Sequence, residues 1–181
     1  MAEVFRYVEA DTTSTNDGDL RIEADGVDPV ADDLVLELVS AGTGSVALVA
    51  TGAIEDLDAS SAITAASLWM DAGAGIGTGA NAVNTNVDTL ALNNLNGGIY
   101  VTEANGLVVD DVTVTTSAVT AGEDLNTDGT GDLALRVTAG DLTLNAGAAG
   151  PVVTHDGVGM VLLAAHSGDV NVNAQVVTAD G

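Results

Sequence analysis

The residues best placed to do chemistry stand together in Asp124-Leu125-Asn126-Thr127-Asp128-Gly129-Thr130-Gly131-Asp132. Oxygen-bearing side chains at every second position, followed by glycine, match the opening of a calcium loop, D-x-[DN]-x-[DN]-G. In such a loop hard oxygen ligands converge on one cation while the glycine permits the sharp turn. Asp124, Asn126 and Asp128 would offer side-chain ligands, with the Thr130 carbonyl and Asp132 following. Ca²⁺ is therefore the cofactor that this spacing predicts. The twelfth position is Leu135 rather than a bidentate glutamate, and no flanking helices are expected. An acidic turn between strands is the competing reading. Asp11 to Asp19 is a weaker echo of the motif and reads as a plain turn.

Other candidate chemistry is sparse. His155 and His166 are the two histidines, and His155-Asp156 is one histidine beside one carboxylate rather than a triad. Ser167 follows His166, but neighbours in a strand point to opposite faces. Both histidines read as surface or loop residues. Gly73 to Gly79 is glycine-rich but lacks the lysine and the following helix of a phosphate loop. Paired carboxylates could hydrolyse a glycosidic bond, yet the 27 acidic residues single out no pair. No catalytic or cofactor-binding residue is predicted, and the chain is expected not to be an enzyme. Trp69 and Tyr100 remain as candidates for stacking on sugar rings.

Composition narrows the partners. Of the 181 residues, 46% are hydrophobic but 2% aromatic, so the core must be built from Val, Leu, Ile and Ala. Small aliphatics suit a narrow interior in which similar layers stack. The net charge is −24, with no lysine and with Arg6, Arg21 and Arg136 as the only arginines. Neutralising nucleic-acid phosphates is excluded on that balance, and so is docking on an anionic membrane. So acidic a surface keeps a protein soluble and draws cations. A marine, halophilic or calcium-rich extracellular setting would suit it. There is no cysteine, hence no disulfide framework. The N-terminus lacks the basic and apolar regions of a signal peptide, and no apolar run approaches the ~20 residues that span a bilayer. The chain reads as a fragment of something longer.

The elements that would carry these residues follow a repeat. Residues 1–32 hold mixed strand and turn signals, including the alternating Asp19-Leu20-Arg21-Ile22-Glu23-Ala24, and form a first rung or a cap. From residue 33 to 181 a rhythm of about 22 residues takes over. Ser45-Val46-Ala47-Leu48-Val49-Ala50-Thr51-Gly52-Ala53-Ile54 recurs as Ser67-Leu68-Trp69-Met70-Asp71-Ala72-Gly73-Ala74-Gly75-Ile76. Val46, Leu68, Leu90, Val112, Leu133 and Val161 serve as anchors. The pairs Val46/Leu48, Leu68/Met70, Leu90/Leu92, Val112/Val114, Leu133/Leu135 and Val161/Leu163 are predicted to stack inward. Ala47, Trp69, Ala91, Thr113, Ala134 and Leu162 would then face outward, with Trp69 at the surface beside Tyr100 or another neighbour. Gly-Asp-apolar-x-apolar-Asn-Ala also recurs, at Gly140–Ala146 and Gly168–Ala174. These features predict an all-β parallel β-helix; a β-sandwich, which also alternates with frequent turns, is the alternative.

The segments Gly44–Ile54, Asn96–Leu107 and Gly140–Ala146 resemble the repeats of filamentous-haemagglutinin-type bacterial exoproteins. The resemblance spans roughly residues 33–181. It implies a right-handed parallel β-helix and an extracellular or cell-surface fibrous segment used in adhesion. Partners implied on this reading are neighbouring repeats or copies of the chain itself, and host or environmental glycans. Neither nucleic acid nor membrane insertion is expected. A carbohydrate-binding or polysaccharide-cleaving β-helix is the alternative function.

Overall fold

The computed structural model describes residues 7–13, 18–25, 31–57, 63–116, 119–122, 124–128, 130–145, 147 and 150–178, with backbone alone for 7–13 and 119–122. Every regular element among them is a strand. The first seven are β1 (Tyr7–Thr13), β2 (Leu20–Ala24), β3 (Asp33–Ser40), β4 (Ser45–Ala50), β5 (Ile54–Asp56), β6 (Ile63–Ala72) and β7 (Val83–Asn94). There follow β8 (Ile99–Glu103), β9 (Leu107–Val109), β10 (Val112–Thr115), β11 (Val119–Gly122), β12 (Leu125–Thr127) and β13 (Leu133–Val137). The last are β14 (Leu142–Leu144), β15 (Val153–His155), β16 (Val161–Ala165), β17 (Val170–Val172) and β18 (Val176–Thr178).

Sixteen of these strands form one sheet in which each strand pairs in parallel with its counterpart a turn away. The coil is a β-solenoid of about six turns. Parallel pairing throughout this sheet rules out the antiparallel β-sandwich.

Register converts the alternation into stacked columns. One runs Leu20, Val46, Leu68, Leu90, Val109, Leu144 and Val172. A second runs Ile22, Leu48, Met70, Leu92, Leu125, Val153 and Val176. A third, on another wall, runs Leu34, Ile54, Ile76, Ile99, Leu133 and Val161. Away from the two ends these residues are fully buried and make one continuous core. With side chains alternating between faces, every second residue falls in a column, and a slip of one would turn the column out to solvent. Cutting a mid-column leucine to alanine would cost about 2–5 kcal/mol.

The expected inward pairs Val46/Leu48, Leu68/Met70 and Leu90/Leu92 stack in one run, and Leu133/Leu135 stacks inward on Val161/Leu163, but the series breaks at Val112/Val114 and resumes in other columns. Val112 and Val114 are not core rungs. They lie in β10, which forms an antiparallel hairpin with β11 outside the main sheet. Leu133 continues the column of Ile99, not that of Leu90, whose successor is Val109. The reason is that period-two alternation marks any strand with one buried face. Val112 and Val114 are buried, but against the outer wall of the coil, on Ala47, Ala91 and Trp69. The hairpin interrupts the chain between β9 and β12, so Leu92 pairs with Leu125 at a longer step than 22 residues.

Candidate functional site

The stretch from Asp124 to Asp132 begins just before β12 and ends just before β13. Leu125 and Thr127 are buried, Asn126 is half-buried, and Asp128 and Thr130 are exposed. Asp124 is largely buried at a positive φ of 52°, and its Oδ1 accepts a hydrogen bond from the Gly147 amide at 3.2 Å. Asn126 donates from Nδ2 to Asn93 Oδ1 at 3.4 Å. The Asp132 carboxylate accepts from the Met160 amide at 2.9 Å. Three of the five predicted ligand residues thus have side chains that bond to different parts of the coil. Gly129 lies outside the described residues. Among the described residues no three of His, Cys, Asp and Glu gather as a metal would need.

Asp132 belongs to a recurrent device. Asp19 Oδ1 accepts from Ser45 N at 2.9 Å, Asp33 Oδ1 from Ala53 N at 2.7 Å, and Asp141 Oδ1 from Asp169 N at 2.8 Å. In each case the aspartate directly precedes an inward apolar residue, and the amide it takes is the equivalent one a turn later. Each carboxylate pegs one rung to the next. A hydrogen bond to a charged acceptor is among the stronger kinds.

Asparagine makes a second kind of ladder. Asn93 donates to Asp71 at 2.7 Å and is in turn the acceptor for Asn126. Asn145 donates to Asp110 at 3.5 Å, and Asn173 donates to Asn145 at 3.1 Å. Stacked amides of this sort accompany in-register parallel strands. The repeated Gly-Asp-apolar-x-apolar-Asn was the available signal for both devices: its Asp supplies the peg and its Asn the ladder.

Trp69 does face outward, next to Ala47 and Ala91 in register. It is half-buried beneath the hairpin, packed with Val112 and Val114. The hairpin crosses β2, β4, β6 and β7, and it is tied down where Thr115 N donates to Asp19 Oδ2 at 2.6 Å. Asp19 therefore serves the rung ladder with one oxygen and the hairpin with the other. Tyr100 stands elsewhere, paired with Ala134, its half-buried ring lying close to Gly79 and Gly98. The two aromatic candidates do not form one stacking surface.

Polar residues, Glu103 and His155 among them, also sit inside the coil. Glu103 is fully buried in the column of Val39, Ile63, Thr85, Val137 and Ala165. Its Oε2 accepts from Thr85 Oγ1 at 2.6 Å and Val87 N at 3.1 Å, and its Oε1 from Asn105 N at 2.9 Å. Burial pushes its carboxyl above the usual glutamate range, with the bonds from Thr85, Asn105 and Val87 pulling the other way. His155, expected at the surface or in a loop, is buried at the end of β15, where Nε2 donates to the Gly131 carbonyl at 2.8 Å. A parallel column puts it between Thr127 and Thr178, and an inward position is what strand alternation demands there. His166 is exposed, as expected. A small cleft of about 220 Å³ is lined by Glu55, Asp56, Gly77, Thr78 and Asn81. Asp56 there accepts from the Asn84 amide and side chain at 3.2 Å each, so this carboxylate too joins successive turns.

These features define a class: a parallel β-solenoid in which recurrent aspartates and asparagines join successive turns. No family model matches the sequence, and no curated protein or solved structure matches it either.

Proposed function

We propose that the chain is a non-catalytic structural segment of an extracellular bacterial adhesin or surface fibre. The observation that carries this reading is the disposition of its polar groups. Asp19, Asp33, Asp132 and Asp141 hold the backbone of the next turn, and the asparagine ladders hold side chain to side chain. A molecule built this way presents a stiff, acidic, repetitive wall. The resemblance to filamentous-haemagglutinin-type repeats, carried by Gly44–Ile54, Asn96–Leu107 and Gly140–Ala146, supports the same reading. Antibodies raised against the chain would label intact cells of its source; labelling only after permeabilisation would refute a surface location.

Calcium stabilisation belongs to this reading through the charge of −24, since divalent cations screen repulsion between carboxylates. Thermal melts with Ca²⁺ and with EDTA test it, and coincident melts exclude it. The alternative of a carbohydrate-binding or polysaccharide-cleaving β-helix rests on the half-exposed Tyr100. Loss of glycan-array signal in a Tyr100→Ala variant would favour it, and an array without hits would remove it.

A further inference from the structure

Asparagine is among the chemically labile residues, and the asparagines of this chain are not equivalent. The backbone nitrogen of the following residue can attack the side-chain amide carbon and close a succinimide ring. A Cβ on that following residue crowds the attack, and glycine has none. Asn96 and Asn105 are followed by glycine, whereas every other asparagine precedes a residue with a side chain.

The coil separates these two. Asn105 is held at both ends: its N–H donates to Glu103 Oε1 at 2.9 Å, and its Nδ2 donates to Asn86 Oδ1. Asn96 is exposed, in the turn between β7 and β8. Among the described residues neither its side chain nor the Gly97 N–H has a hydrogen-bond partner. No bond therefore restrains either the nucleophile or the carbon that it attacks. Nor can the turn dispense with its glycine. Gly97 has φ +84°, and a Cβ there would run into the Ala74 carbonyl of the preceding turn. The fold requires at residue 97 the one residue type that leaves the Asn96 amide open. This turn lies mid-coil, stacked between those of Ala74 and Gly131.

We infer that Asn96-Gly97 is a site of spontaneous modification, at which the Asn96 side chain is converted to aspartate and isoaspartate. Gly97 N gives up its proton and bonds to Asn96 Cγ; the Cγ–Nδ2 bond breaks, and ammonia leaves with that proton. Water then opens the succinimide at either carbonyl. One opening yields aspartate. The other routes the main chain through Cβ and inserts a methylene into it. Either product adds one negative charge to a chain of net charge −24. The longer main chain arises beside Gly98, whose carbonyl accepts from the Ile76 N–H at 3.0 Å. Gly131 of the following turn packs against the Gly97 carbonyl carbon and the Gly98 nitrogen. The isoaspartyl form therefore loosens the stacking of three turns at one point, and the change accumulates with the age of the molecule.

Peptide mapping by mass spectrometry, after incubation of the whole chain in heavy-oxygen water at neutral and mildly alkaline pH, tests this. One heavy oxygen is expected in the peptide that holds Asn96, entering faster at the higher pH because the attacking nitrogen must lose its proton. The Asn105 peptide should label at least about tenfold more slowly, since releasing Asn105 means breaking two hydrogen bonds. In urea, where the fold is lost, the two rates should converge. Asn96→Gln alters an exposed side chain, so it should keep the far-ultraviolet spectrum and lose the fast label. On incubation the parent should lose melting temperature while this variant holds its own. Equal labelling of the two peptides in the folded chain, or a ratio that persists in urea, would overturn the assignment. So would an Asn96 peptide that takes up no heavy oxygen, or a parent whose melting temperature does not fall as the label enters.

Discussion

Replacing Glu103 with glutamine keeps the shape of the side chain and removes one acceptor from the interior. Glu103 satisfies the Val87 amide, the Thr85 hydroxyl and the Asn105 amide with its two oxygens. In the E103Q chain one oxygen becomes an amide group that faces a donor. If it faces Val87, a buried N–H loses its partner, at about 1–3 kcal/mol. If it turns toward exposed Asn105, water takes over and the cost falls to the lower end. Glu103→Val, which installs the residue found at Val137 in the next turn, strips the acceptor from Val87 and Thr85 together and should cost about 2–5 kcal/mol. For a chain of this length a loss of 1 kcal/mol lowers the melting temperature by about 2–4 °C. The pH dependence has a definite sign. Because burial raises the folded carboxyl above the usual glutamate value, folding takes up a proton. That contribution to stability is fully present below about pH 4.3 and is lost as pH rises through the folded value. The stability margin of the parent over E103Q should therefore shrink as pH rises through that window. Urea titrations of parent and variants across pH measure it. Variants that unfold with the parent, or a margin that widens with pH, would refute the placement of Glu103.

The aspartate pegs give a second test: Asp33→Ala should destabilise by about 1 kcal/mol, the charge-assisted bond to Ala53 being partly exposed, and exchange of the Ala53 amide should accelerate. Gly97 has φ +84°, and a Cβ there would run into the Ala74 carbonyl. Gly97→Ala should cost at least about 1–2 kcal/mol in a chemical melt. Deleting the β10–β11 hairpin should leave the solenoid folded while exposing Trp69, read as a red shift and easier acrylamide quenching of its fluorescence. An unchanged spectrum would mean that the hairpin does not cover it.

The solenoid was legible because its signal is repeated. Val46, Leu68 and Leu90 fall at one step of 22 residues, and an alternation that recurs at a fixed step leaves a stacked parallel sheet as its simplest solution. Legibility failed where local pattern and spatial order part. Val112 sits at the next step with the same alternation, but nothing in period two distinguishes an inner wall from the outer one. The chain's detour from Val109 to Leu125 can be read only from which strand pairs with β7. The spacing of Asp124, Asn126 and Asp128 conveyed oxygen ligands at alternate positions, but not that Asp124 and Asn126 already have backbone and amide partners. A buried carboxylate such as Glu103 is likewise indistinguishable in sequence from an exposed one until its column is known.

Turns distant in sequence lie stacked in register on one wall. Glu55 and Leu162 point outward on that wall, linked step by step through Gly77, Tyr100 and Ala134. The chain has no cysteine, so a spin label can be placed at each by a single substitution. Four strand spacings of about 4.8 Å put their backbones about 19 Å apart. A narrow distance distribution from pulsed electron paramagnetic resonance centred near that value, allowing for the label arms, is the predicted result. A broad distribution, or a peak well beyond it, would contradict the stacked coil.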